Sequence, residues 1–130
     1  MAKILIVEDN ALNIKLFCDL LAAHGHEPEA VTDSRNALDA ARNFSPDLVI
    51  TDIQLPHVSG LDLIRMIRGD EQLAGVPIMA VTAYSARGDE ERIRAAGAQA
   101  YVSKPISVMK FAQTVEQLLA GEYEPAPQAG

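Results

Sequence analysis

Three short stretches of this chain are apolar without interruption: Ile4-Leu5-Ile6-Val7, Leu48-Val49-Ile50 and Ile78-Met79-Ala80-Val81. A strand with one face in water alternates apolar and polar residues, so uninterrupted runs of this length predict strands covered on both faces. Between them the apolar residues change period. Leu12, Leu16, Phe17, Leu20 and Leu21 form one helical stripe, Ala37, Leu38, Ala41 and Phe44 a second, and Leu63, Ile64 and Ile67 a third. The clearest helix is the last, where Val108, Phe111, Ala112, Val115, Leu118 and Leu119 recur at helical spacing behind Ser107, an available N-cap.

Two elements are weaker. A second strand around Glu27 to Val31 carries Pro28, which lacks the N–H that a central strand must donate, so this strand belongs at a sheet edge. The fourth helix, Asp89 to Ala96, has Ile93 as its only large apolar side chain; little burial holds it, and it is a candidate moving part. A fifth strand is expected over Ala100 to Ser103. Five alternating strand–helix units predict a doubly wound α/β fold around a five-stranded parallel sheet with five helices. In such folds the ligand site lies at the carboxyl ends of the strands, near the point where strand order reverses.

With 130 residues, 48% of them hydrophobic, the chain can bury one sizeable core and hardly two. One domain over residues 1–121 is expected. The ending Glu122-Tyr123-Glu124-Pro125-Ala126-Pro127-Gln128-Ala129-Gly130 has no periodicity and is rich in Pro and small residues, so 122–130 reads as a disordered tail with no output domain beyond it. A net charge of −7 and the lack of a basic cluster argue against nucleic-acid binding. No apolar run approaches a membrane span, and the N-terminus does not resemble a signal peptide, so a cytoplasmic location is expected. Cys18 is the only cysteine and reads as a buried structural thiol beside Ile14, Phe17 and Leu21. Nothing demands a dimer, and a monomer is expected. His24, His26 and His57 show no metal-ligand grouping and read as surface or loop residues.

Every strand except the edge one delivers a polar group to the same rim: Glu8-Asp9 after the first, Asp52 after the third, Thr82 after the fourth and Lys104-Pro105 after the fifth. Three carboxylates brought together resist full ionisation unless a counter-charge joins them. A divalent cation and the Lys104 ammonium would supply it, and an oxygen-only ligand set favours Mg²⁺ over zinc. Mg²⁺ on two or three carboxylates and a backbone carbonyl keeps room for a phosphoryl oxygen.

These residues carry a resemblance. Leu5-Ile6-Val7-Glu8-Asp9-Asn10, the run from Asp47 to Pro56, Ser59-Gly60-Leu61, Val81-Thr82-Ala83 and Ser103-Lys104-Pro105 together resemble response-regulator receiver domains over about residues 3 to 120. The resemblance extends to the DivK-type single-domain regulators of bacterial cell division and development. It is carried there by Glu8-Asp9-Asn10, the run Gly88 to Arg94 and the run Ser103 to Val108. It implies the CheY-like, flavodoxin-like (βα)5 fold with strand order 2-1-3-4-5. It implies Asp52 as phosphoacceptor, taking a phosphoryl group from a sensor histidine kinase or a histidine phosphotransfer protein. Glu8, Asp9, Asp52 and the backbone carbonyl of Gln54 would hold Mg²⁺, with Asp9 the direct ligand and Glu8 more often acting through water. Lys104 would neutralise the phosphoryl oxygens, and the Lys104-Pro105 bond would be cis. Thr82 and Tyr101 would form the switch, read by a downstream protein at the face of the fourth helix, fifth strand and last helix. Gln54 and Tyr84 flank the site and would tune hydrolysis.

Each residue also has a plainer role. Asp9 with Asn10 can simply cap a helix, Thr82 can satisfy strand-end backbone, Lys104 can be a solvated loop charge, and Tyr101 a half-buried strand aromatic. Asp52 is harder to dismiss, because a carboxylate at a semi-buried rim costs stability unless something pairs with it. Three rival functions compete with the phosphoacceptor. A phosphatase using an aspartyl phosphate would carry a second Asp two residues after the nucleophile, where this chain has Gln54. A flavodoxin-like or dinucleotide-binding module would need a Gly- or hydroxyl-rich loop after the first strand, where Glu8-Asp9-Asn10 would repel phosphate. A receiver working purely as an interaction module, without phosphorylation, would retain the same residues.

Overall fold

The computed structural model describes residues 2–83 and 87–122, with only the backbone described at 87–89. The tail from Tyr123 onward and Tyr84 lie outside the described residues. The elements run β1 (Lys3–Val7), α1 (Ala11–Ala23), β2 (Glu27–Val31), a 3₁₀ turn (Ser34–Asn36), α2 (Ala37–Phe44), β3 (Leu48–Asp52), α3 (Gly60–Arg68), β4 (Ile78–Thr82), α4 (Arg87–Ala96), β5 (Ala100–Ser103) and α5 (Val108–Leu119). All strand pairs are parallel, in the order β2-β1-β3-β4-β5. The Pro28 strand is outermost, as its missing donor requires.

The uninterrupted apolar runs feed two separate cores. Ile4, Ile6, Leu48, Ile50, Met79 and Val81 face α1 and α5, where Phe17 and Phe111 stack with ring centroids 5.0 Å apart. Leu5, Val7, Val49, Ile78 and Ala80 face α2, α3 and α4. Successive strand residues point to opposite faces, so a strand buried on both sides must be apolar at every position.

The α1 stripe differs from expectation. Phe17 and Leu21 are buried, but Leu12 and Leu16 are 79% and 36% exposed. Helical residues advance by about 100° each, so Leu12 and Leu16 point well away from the arc that Ile14, Phe17, Cys18 and Leu21 share. Cys18 is half-buried rather than buried. In α5, Val108 and Met109 also face outward, at 48% and 84% exposed, while Phe111, Val115 and Leu118 are buried. The N-caps of α1, α3 and α5 are Asn10, Ser59 and Ser107, each with a side-chain oxygen accepting from backbone N–H of the first turn. The fourth helix begins at Arg87, two residues earlier than expected, and Ile93 is its buried anchor.

Candidate functional site

Parallel strands place all their carboxyl ends on one rim, and the last residues of β3 and β4 are Asp52 and Thr82. Glu8 and Asp9 follow β1, and Lys104 follows β5. Asp52 is 3% exposed and Thr82 fully buried. The backbone N–H of Lys104 donates to the Thr82 carbonyl (2.7 Å), tying the loop after β5 to the end of β4. The Lys104–Pro105 peptide bond is cis.

The Lys104 ammonium donates to Asp52 Oδ2 at 2.7 Å, and the backbone N–H of Gln54 donates to Asp52 Oδ1 at 2.9 Å. Burial opposes the charge on Lys104, but the hydrogen bond to Asp52, together with the Asp52, Glu8 and Asp9 charges, raises its pKa on balance. Glu8 is 1% exposed. Its Oε1 accepts from the Asn13 amide (3.2 Å) and the Asn10 backbone N–H (3.3 Å), whereas its buried Oε2 has no hydrogen-bond partner. Burial first, and the adjacent Asp52 carboxyl second, push the Glu8 pKa up to about 7.

Asp9 is exposed, and Asn10 rather than Asp9 caps α1, accepting from Leu12 N at 2.9 Å and Asn13 N at 3.1 Å. Asn10 thus makes the capping hydrogen bonds that the plainer reading gave to Asp9 with Asn10. Glu8, Asp9 and Asp52 each offer a carboxylate oxygen within 4.8 Å of the others, the only such group among the described residues. A buried carboxylate oxygen without a donor, in a ring of hard oxygen ligands, is what a divalent cation such as Mg²⁺ would satisfy.

Two supports of the site were not legible as such in the sequence. Gly60 packs against the end of β3: an added Cβ would overlap the Asp52 carbonyl oxygen and sit 2.6 Å from Ile53 Cα. Buried Ser34 donates to the Pro56 carbonyl (2.7 Å) and accepts from Val58 N (3.1 Å), fixing the loop after Asp52. Further round the rim, the Tyr101 hydroxyl donates to Glu90 Oε1 at 2.9 Å.

Comparison with known proteins decides the family. The model described as response regulator receiver domain matches residues 4–116. The chain belongs to the response regulator receiver domain family. It is 51% identical over 116 residues to the polar-differentiation response regulator DivK of Brucella ovis, covering 89% of this chain and 94% of that protein. Among solved structures, the chemotaxis response regulator CheY4 of Vibrio cholerae superposes with a TM-score of 0.86 at 26% identity, covering 91% of this chain and 98% of that one. The receiver domain of sensor histidine kinase PA1611 from Pseudomonas aeruginosa superposes with a TM-score of 0.84 at 30% identity, covering 92% and 98%. That receiver was solved with a magnesium ion coordinated in the active site cleft. This receiver is accordingly a signalling domain homologous to DivK and to CheY-type response regulators. Among the described residues, no helix is long and apolar enough to cross a membrane.

Proposed function

We propose that Asp52 is the phosphoacceptor, and that it takes its phosphoryl group from a phosphohistidine on a sensor histidine kinase or histidine phosphotransfer protein. The observation that carries this is the convergence of Glu8, Asp9 and Asp52 on one point, with Lys104 held 2.7 Å from the reactive carboxylate. An Asp52 oxygen attacks phosphorus, the O–P bond forms, and the P–N bond breaks. The leaving histidine nitrogen keeps the bonding pair and is protonated by solvent.

Glu8, Asp9, Asp52 and the Gln54 carbonyl are the residues that would hold Mg²⁺, which when bound supplies positive charge opposite the phosphoryl oxygens. Lys104 adds a second positive charge, fixed before the reaction begins. A carboxylate nucleophile paired with the Lys104 ammonium calls for no separate base. Thr82, at the end of the neighbouring strand, is the hydroxyl positioned to bond the phosphorylated side chain, and Tyr101 is the aromatic that follows it. Helix α4, strand β5 and helix α5 form the face a downstream protein would read.

The exposed apolar residues fit the donor. Leu12 opens α1 and Val108 and Met109 open α5, and both helices begin at the rim that carries Asp52. A helical partner presenting its phosphohistidine would cover them. Identity to polar-differentiation regulators supports a role in bacterial cell-cycle or developmental signalling, in the cytoplasm. Intact-mass measurement after Mg²⁺ and a small phosphodonor tests the assignment. Wild type gains one labile phosphoryl group and Asp52→Asn gains none; labelling elsewhere, or none even with cognate kinases, rejects it.

A further inference from the structure

The fourth helix carries one large apolar anchor, Ile93, yet it is joined to β5 by a chain of polar contacts. Glu90 lies at its centre. One carboxylate oxygen accepts from the Tyr101 hydroxyl at 2.9 Å, and the other accepts from Arg94 Nε at 3.1 Å. Arg94 also donates to the Gln99 carbonyl at 2.9 Å, in the turn that leads into β5. The Gln99 side chain is held in turn by Arg68 (2.7 Å) and Ile78 N (2.7 Å), so this end of the network is anchored in the buried sheet.

Tyr101 is well placed to sense the rim. It pairs with Ala80 in register, and Thr82 lies two residues further along β4, so Thr82 and Tyr101 face the same side of the sheet. The Tyr101 ring, Glu90, Arg94 and Lys110 also line a groove of about 620 Å³ between α4, β5 and α5. The orientation of one ring therefore shapes the groove and bears on the space beside Thr82.

We infer that Glu90 is a positioning residue that latches Tyr101 toward this groove, opposing the inward ring position that phosphorylation of Asp52 favours. The inference presupposes Asp52 as phosphoacceptor with Thr82 as its hydroxyl partner. A ligand that prefers the inward state binds more weakly by the fraction of molecules held outward, so breaking the latch tightens its binding. The hydrogen bond has a charged acceptor but is half exposed, so exchanging that acceptor for a neutral one is worth about a threefold to tenfold change in apparent affinity.

The test uses the full chain, with Mg²⁺ and beryllium fluoride as the phosphoryl mimic. Glu90→Gln keeps shape and helix while exchanging the charged acceptor for a neutral amide oxygen, which weakens the latch without removing it. Its apparent affinity for the mimic should rise about threefold to tenfold. The Tyr101 phenol, followed by ring-carbon NMR and assigned with Tyr101→Phe, is raised in wild type first by the Glu90 hydrogen bond; in Glu90→Gln it should fall back toward its ordinary range. In the Tyr101→Phe background, Glu90→Gln should change the affinity no further. An unchanged phenol titration with unchanged affinity overturns the latch, as does an affinity change that persists without the Tyr101 hydroxyl. Failure of wild type to bind the mimic instead overturns the phosphoacceptor assignment and, with it, the coupling.

Discussion

Replacing Glu8 by Gln should make the protein more stable at alkaline pH when no divalent cation is present. An unfolded chain ionises Glu8 near its ordinary value of 4.5, whereas the folded protein holds the proton until about pH 7, chiefly because the carboxyl is buried. Between those values the native state binds more protons than the unfolded state, so stability falls as pH rises. The contribution is fully present below pH 4.5 and gone above pH 7, and the raised pKa sets its size at about 3 kcal/mol at most. Gln at this position cannot ionise. Its carbonyl oxygen can keep the Asn13 and Asn10 donors that now serve Oε1, and its amide nitrogen can donate toward Asp52 from the place of the partnerless Oε2. Urea denaturation in chelator at pH 5, 6, 7 and 8 measures the difference between the two proteins, in which every other titrating group largely cancels. The variant should gain on wild type by roughly 1–3 kcal/mol across that range. Adding Mg²⁺ at pH 8 should close the gap by stabilising wild type. Parallel stability curves for the two proteins would refute the claim that a strained carboxylate waits for a cation here.

Asp9→Asn should weaken Mg²⁺ binding roughly tenfold or more, as titration calorimetry would show, because the ion loses a charged oxygen ligand. Its stability should barely change, since Asn10 carries the helix cap. Gly60→Ala should cost about 1–3 kcal/mol in chemical denaturation, because the new methyl must displace the Asp52 and Ile53 backbone. Slower labelling of Asp52 should accompany it, and an unchanged midpoint with unchanged labelling would show that the backbone yields freely.

Much of the architecture could be read from period alone. β1, β3 and β4 announce themselves because double burial leaves no position for a polar residue, and β2 reveals its edge place through Pro28. Helix orientation was less legible. In α1 the leucines suggest a stripe containing Leu12 and Leu16, but Phe17 takes the core position by stacking on Phe111, and the facing sheet admits only the arc around it. Hydrophobic character reports what can be buried, and packing decides what is. The 3₁₀ turn at Ser34 gave no periodic signal, because three residues are too few to show one.

The rim residues were legible because each sits at the end of an apolar run, where a charge is conspicuous. Glu90 and Arg94 were not, since charges on an exposed helix are ordinary and their meaning depends on Tyr101 and Gln99, eleven and five residues further along the chain. This asymmetry follows from the two tasks. Phosphate chemistry needs charge concentrated where water is largely excluded, which forces carboxylates onto the tips of buried strands. The readout proposed for α4 would need an element whose position is nearly balanced, and a helix anchored by Ile93 and by hydrogen bonds to Tyr101 and the Gln99 carbonyl suits that need. A site built on buried strands leaves a sharp trace in one sequence, while a switch built on marginal surface contacts leaves its trace only in the folded geometry.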